Sequence, residues 1–354
     1  MSRLFAELLR RVSRNARGEY TIIANRTSGR YFVDLFGEAN VIVVPASGDS
    51  RVGRLLIQCF VYPICFRLFR PRLFVSTANM PMWGYGCRRI TVVLDLLAFD
   101  FPETFGAIEG ELKRVLISQA VRSADAVLTI SHWCAEAIAL RFRSRLRGKI
   151  WVVQPAAEWL QEICVSEEAQ AATLEAYGLT RGRYVLSVLG GRSYKNQRRL
   201  MAAFGEIASS GRHQVSLVVA GYARPVPEVR QAGLNVVVLG YVSDDVLAVL
   251  YRNAAALVFP SLYEGFGIPV VEAQSVGVPV VCSDLPVLRE VAGSAAVFVD
   301  PNSTASIAYG MRRTLEDGEL RGRLIEQGLR NSQRYSWDKS AARFIQVCRT
   351  EMAQ

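Results

Sequence analysis

Two glutamates with seven residues between them, Glu264 and Glu272, bracket a glycine-punctuated loop in the stretch Phe259-Pro-Ser-Leu-Tyr-Glu-Gly-Phe-Gly-Ile-Pro-Val-Val-Glu272. The apolar run Ala256 to Phe259 reads as a short strand. Pro269 then opens a helix, where a proline gives up no hydrogen bond. Gly265 and Gly267 let the backbone approach a ligand with no Cβ in the way. The N–H groups and positive dipole end at Ile268 to Val271 form a site for an anion such as pyrophosphate. Two carboxylates beside a phosphate repel it, so they make chemical sense only if aimed at hydroxyls. The chemistry indicated is recognition of a sugar phosphate ester, with one carboxylate at each end.

The same residues resemble the retaining glycosyltransferases of the group 1 (family 4) type, whose signature is Glu, seven residues, Glu in a loop-helix setting. The likeness runs almost continuously from Tyr184 to about Trp337 and includes Val299-Asp-Pro301, Pro286-Val-Leu-Arg-Glu290 and Tyr335-Ser-Trp337. It implies that Glu264 holds the transferred sugar, Glu272 the ribose hydroxyls, and the loop Gly265, Phe266, Gly267 and Ile268 the diphosphate. Lys195 of Ser193-Tyr-Lys-Asn196 occupies the family's lysine position, where an ammonium offsets charge on the departing phosphate. The basic residue six positions earlier is Leu189 here, and Arg192 stands in as its substitute. Gly221 ends a strand where backbone passes near the donor. Tyr241 and Val242 fall in the segment that reads the donor base, with Ser243 or Asp244 capping the next helix. Val92-Val-Leu-Asp95 is similar to the family's His-Asp strand end, with Leu94 at the histidine position and Asp95 kept as a cleft residue. Thr129-Ile-Ser131 is similar to its Thr-x-Ser, while Pro155-Ala-Ala departs from its Pro-Asn-Gly.

The elements that must position these residues alternate in type. In the first half the strand candidates are 20–24, 41–44, 73–76, 90–94, 126–130 and 150–153, with helical patterns at 2–15, 53–69, 107–122 and 132–143. A looser stretch, 154–183, leads to strands at 184–189, 215–220, 236–239, 256–259, 278–282 and 296–299. This alternation predicts parallel α/β sheets covered by helices. The resemblance adds the GT-B architecture: two Rossmann-like domains facing across a cleft, residues 1–155 and 156–336, with a helix at 337–354 packing back on the first. Ligands then sit beyond the carboxyl ends of the strands.

The chain has 354 residues, enough for two cores, and a net charge of +10 with 51% hydrophobic residues. Arginines cluster at Arg3, Arg10, Arg11, Arg14 and Arg17, at Arg67, Arg70 and Arg72, and from Arg141 to Lys149. Without a basic low-complexity tail or zinc-finger spacing, this charge favours an anionic membrane surface over nucleic acid. Leu55 to Phe69, interrupted by Pro63 and Arg67, is too short to span a bilayer and reads as a buried or membrane-touching helix. Seven scattered cysteines with no C-x-x-C pair fit a reducing compartment. Only His132 and His213 are present, and no metal site is expected. By family comparison roughly 15–20 residues, a first strand and its glycine-rich loop, are missing ahead of the Arg3 helix, so either the true start lies upstream of Met1 or the protein is truncated.

The resulting expectation is a cytoplasmic enzyme, peripheral at the inner face of the plasma membrane. It moves a hexose, mannose from GDP-mannose by resemblance, onto a lipid-linked or polysaccharide acceptor with retention and without a metal or other cofactor. The alternatives are a GT-B nucleotide-sugar epimerase and a truncated, non-catalytic sugar-nucleotide-binding protein.

Overall fold

Short β-branched runs joined by helices must pair in parallel, because each crossover returns the chain to the same end of the sheet. A computed structural model describes residues 2–15, 20–44, 60–77, 86–143, 146, 148–209, 214–221 and 234–354. Its strands, β1 to β12 in chain order, form three parallel sheets. Strands β1 (Ile22–Asn25) and β2 (Val41–Val44) pair with each other. Strands β3 (Leu73–Ser76), β4 (Arg88–Val92), β5 (Ala126–Thr129) and β6 (Ile150–Val152) form a sheet in sequence order. In the second half the order is β12-β11-β10-β7-β8-β9, built from β7 (Tyr184–Val188), β8 (Ser216–Ala220), β9 (Val236–Val238), β10 (Ala256–Phe259), β11 (Val280–Ser283) and β12 (Val297–Val299). Strands β8, β10 and β11 are buried at every position, which is why each reads as an unbroken apolar or small-residue run rather than an alternation.

Helices α1 (Ser2–Asn15) and α2 (Arg26–Phe36) come first. The second was not among the helical patterns because Gly29 interrupts it, yet that glycine has a packing reason. A Cβ there would lie 2.4 Å from Val43 Cγ1, so only glycine lets the helix settle on β2. Helix α3 (Tyr62–Phe69) is the described part of the 53–69 pattern; Leu55 to Cys59, like His213, fall outside the described residues. Then come α4 (Leu97–Asp100), α5 (Ala107–Ser123) and α6 (His132–Phe142). The stretch 154–183, read as loose, carries α7 (Trp159–Glu162) and α8 (Glu167–Ala176). Helices α9 (Gln197–Ser209), α10 (Asp244–Arg252), α11 (Ile268–Ser275), α12 (Pro286–Ala292), α13 (Thr304–Glu316) and α14 (Gly318–Ser332) cover the six-stranded sheet.

The last helix, α15 (Trp337–Met352), returns to the first half. Its Phe344 and Val347 share a core with Phe5, Leu8 and Val12 of α1 and with Ile90 and Val92 of β4. Glu351, 2% exposed, receives Arg88 at 2.7 Å and the Trp151 indole N–H at 2.8 Å. Arg11 of α1 donates to Glu7 and Glu162, which ties the first helix to the segment connecting the halves.

Candidate active site

All six strands of the second sheet run the same way, so the loops at their carboxyl ends lie in one row, spaced by roughly the 4.8 Å between strands. Strand order decides which loops are neighbours. The signature loop after β10 stands beside the Gly190–Lys195 loop after β7, followed by Gly221 after β8 and Tyr241 and Val242 after β9. Lys195 and Glu264 meet at the first of these junctions: Nζ lies 2.6 Å from Oε1, and both side chains are largely buried. The ammonium also lies 5.0 Å from the Phe259 ring and 5.2 Å from that of Tyr194. Burial, the largest single influence, works against the charge on Lys195, but Glu264, Tyr194 and Asp95 together outweigh it and raise its pKa. Asn196, in the left-handed region at φ 60°, locks the loop from within by donating to the carbonyls of Pro260 and Pro301.

Gly267 opens α11 at φ +100°, a conformation L side chains avoid, and a Cβ there would lie 2.5 Å from Leu288 Cδ2. No side chain caps this helix, leaving its N-terminus facing the row of loops. Phe266 is buried in edge contact with Tyr335. Gly221, at φ +83°, donates its N–H to Gly240, and a Cβ there would lie 3.2 Å from the Leu189 carbonyl oxygen. Tyr241 is 86% exposed at the end of the row. Arg192 lies apart from the ion pair: it is exposed and its guanidinium sits over the Phe105 ring at 5.3 Å. Glu272 is turned inward, its two oxygens accepting the Trp159 indole N–H at 2.9 Å and the Tyr251 hydroxyl at 2.7 Å.

The first half presents the carboxyl ends of β4 and β5 to this row. A Cβ on Gly265 would lie 2.5 Å from the Leu94 carbonyl oxygen and 3.2 Å from Asp95 Cβ, so the two backbones are in direct contact. Leu96 donates its N–H to the Tyr263 hydroxyl at 2.7 Å, and Ser131 Oγ donates to the Gly265 carbonyl at 2.8 Å. Cys134 Sγ lies 3.3 Å from the same carbonyl, and burial pushes its thiol up to about 11. Glu290 of α12 was part of a recognised motif but had no role in the sequence reading. It crosses the seam, and its carboxylate accepts the N–H groups of His132 at 2.9 Å and Trp133 at 2.8 Å, the first turn of α6. An anion at a helix N-terminus is favoured both by the free N–H groups and by the dipole.

Asp95 lies beside the ion pair. Burial foremost, and the Glu264 charge with it, raises its pKa above 3.8, against the Leu97 N–H, Lys113 and Lys195. A carboxyl whose folded pKa is raised favours the native state below its unfolded pKa and loses that contribution as pH rises through the folded value. Asp95→Asn keeps an oxygen for the Leu97 N–H and removes the buried charge. It is therefore expected to raise the thermal midpoint at pH 7, with the gain shrinking as pH falls toward the ordinary carboxyl range. Parallel melts of both proteins between pH 4 and 8 measure this, and a constant or negative difference would mean the charge at position 95 is compensated.

Residues 174–331 match the family described as Glycosyl transferases group 1. With these facing parallel sheets the chain has the GT-B fold, and its second half is what matches the group 1 glycosyl transferase model. It is 29% identical to O-antigen chain mannosyltransferase B of Escherichia coli over 267 residues, 73% of this chain and 69% of that one. It is likewise 29% identical to O-antigen chain mannosyltransferase RfbU of Salmonella typhimurium over 293 residues, 80% and 78% of the two chains. Among solved structures, Alr3699/HepE of Anabaena with UDP-glucose superposes at a TM-score of 0.74 and 17% identity, covering 97% of this chain and 96% of that one. WaaG, a glycosyltransferase of lipopolysaccharide biosynthesis, superposes at 0.72 and 15% identity, covering 98% and 95%. Among the described residues no group of three or more His, Cys, Asp or Glu side chains is placed to hold a metal ion.

Proposed function

We propose that the protein transfers a mannosyl group from GDP-mannose, with retention of configuration, to a lipid-linked or polysaccharide acceptor in the assembly of a bacterial surface polysaccharide. The observation that carries this reading is the buried Lys195–Glu264 pair at 2.6 Å, beside the uncapped N-terminus of α11 and at the edge of Asp95. Lys195 and the helix end supply the positive field that a departing diphosphate requires. Glu264 supplies an acceptor for the hydroxyls of the transferred sugar, and Gly221, Tyr241 and Val242 extend the row toward the nucleoside. The mannosyl assignment is supported by the names of the two enterobacterial relatives. With protein groups providing this field, transfer is metal-independent in this reading and persists in EDTA.

The test is a thermal-shift comparison of GDP-, UDP- and dTDP-sugars, since a bound donor raises stability by mass action, followed by NMR of the anomeric linkage formed on a lipid-linked acceptor. GDP-mannose is expected to give the largest shift and an axial product. A donor rearranged without an acceptor would replace the proposal with an epimerase, and a donor bound but never consumed would replace it with a binding protein.

The same reading places the protein on an anionic membrane face. Helix α3 turns Tyr62 and Phe66 inward onto Phe74 and leaves Ile64, Leu68 and Phe69 exposed at 58%, 71% and 54%, with Phe60 just ahead of it exposed at 63%. Arg67, Arg70 and Arg72 are exposed beside them, and no acidic residue occurs between Asp49 and Asp95. An apolar row rimmed by cations matches anionic headgroups over acyl chains. No helix among the described residues is long and apolar enough to cross a membrane. Leu68→Asp is expected to weaken sedimentation with phosphatidylglycerol vesicles by about tenfold, the worth of one leucine's burial. Binding by the parent protein should fall with salt, because charge contacts are screened within about 8–10 Å. Equal binding to phosphatidylcholine vesicles, or to either vesicle by the variant, would remove α3 from the contact.

A further inference from the structure

The inward turn of Glu272 links the signature loop to a part of the chain that no sequence motif marks. Its carboxylate sits on α11 and is almost completely buried, with the Trp159 indole N–H on one oxygen and the Tyr251 hydroxyl on the other. Both partners are neutral donors and both are buried, Tyr251 completely. They stabilise a charged acceptor without neutralising it, and bonds of this charge-assisted kind are short and directional. A carboxylate has about four acceptor positions, and these two donors fix the rotation that decides where the others point.

Trp159 is not part of the second sheet's scaffold. It begins α7, in the segment that leads from the first half into the second. Four further hydrogen bonds pin that short segment: Gln161 Nε2 donates to the Ser275 carbonyl at the end of α11 at 2.9 Å, Arg252 donates to the carbonyls of Leu160 and Ile163, and the Trp337 N–H reaches Glu158 at 2.8 Å. The connection between the halves is therefore docked against the helix that carries Glu272 and held there by the Arg252 side chain of α10 and the backbone N–H at the start of α15.

We propose that Trp159 and Tyr251 are positioning residues that hold Glu272 in the orientation in which it accepts the donor's ribose hydroxyls, which makes the connecting segment part of the donor site. The proposal rests on the glycosyl-transfer reading above. If the carboxylate were a purely structural post for the segment, loss of the indole N–H would lower stability and leave nucleotide affinity alone. If it is aimed by Trp159, the same loss lets the carboxylate rotate and weakens the nucleotide specifically.

Trp151 provides the internal control. Its indole N–H also donates to a buried carboxylate, Glu351 at 2.8 Å, but at the junction of β6 and α15, away from the row of loops. The experiment is calorimetric titration of GDP into the parent protein and into Trp159→Phe, Tyr251→Phe and Trp151→Phe, each checked for a cooperative melt. Trp159→Phe and Tyr251→Phe are each expected to weaken GDP binding about tenfold and to raise the donor KM by the same factor, with the acceptor KM unchanged. Trp151→Phe is expected to bind GDP like the parent while losing thermal stability. Should Trp159→Phe fail to fold, Tyr251→Phe, which removes a single oxygen, carries the test. Parent-like GDP affinity in the folded variants would overturn the proposal, as would an equal loss in Trp151→Phe. A parent protein that binds neither GDP nor UDP would instead overturn the functional reading on which it rests.

Discussion

Replacement of Lys195 by alanine is expected to lower glycosyl transfer by roughly 10²–10³, the loss produced when one preorganised group facing developing charge is removed. The ammonium is held by Glu264 at 2.6 Å in a largely buried position, so it reorganises little when negative charge grows on a leaving diphosphate. The same substitution leaves the Glu264 carboxylate buried without its cation, and breaking a buried pair from one side costs about 3–5 kcal/mol, with the lower end apt for side chains that keep some solvent contact. The two effects separate in a second variant. Lys195→Met combined with Glu264→Gln removes both charges and is expected to recover most of the stability and none of the turnover. Steady-state rates and melts of the single and double variants provide the measurement. Near-parent turnover in Lys195→Ala would move the role to Arg192, across the loop on Phe105.

Gly265→Ala should produce the second large loss, and for a steric reason. Its added methyl would be placed 2.5 Å from the Leu94 carbonyl oxygen, backbone against backbone, where neither side has a rotamer to yield. Relief requires the halves to separate by about 1 Å, and a displacement of that size at a reacting centre costs about 10²-fold in rate. The loops proposed to hold the donor lie on the second sheet and the first half's carboxyl ends are not among them, so nucleotide affinity is expected to stay near the parent value while kcat falls. The bonds that Ser131 and Cys134 direct at the Gly265 carbonyl weaken in parallel. Rapid-quench kinetics set beside nucleotide titration would detect the split. A parent-like kcat would show that the halves do not meet at this seam during turnover.

How far these features could be read in advance depended on whether their cause was local. Strands β5, β8, β10 and β11 are legible because burial on both faces demands continuous apolar or small residues. The signature loop is legible because glycine, proline and carboxylate each have a conformational or chemical reason at fixed spacing. Helix α2 was missed because Gly29 argues against a helix locally and is required only by Val43, a strand away. Helices α7 and α8 were missed because they are short and lie in a connection whose partners come from α1, α10, α11 and α15. Glu290 could be seen as a residue but not as a bridge: the N–H groups it accepts are more than 150 positions away in sequence. Glu272 was legible as an acceptor, while its anchoring by Trp159 depends on a fold contact across 113 positions.

The return of α15 has a bearing on how the protein comes into being. Arg88 and Trp151 are translated well before the carboxylate they share, Glu351, which lies 263 positions beyond Arg88. At ribosomal speeds of about 5–20 residues per second, roughly 13 to 50 s pass between the two. During that interval α1 and β4 lack the Phe344 and Val347 surface that completes their core. The first half is therefore finished only after the second has been made, and the nascent chain must keep that apolar face soluble until α15 emerges.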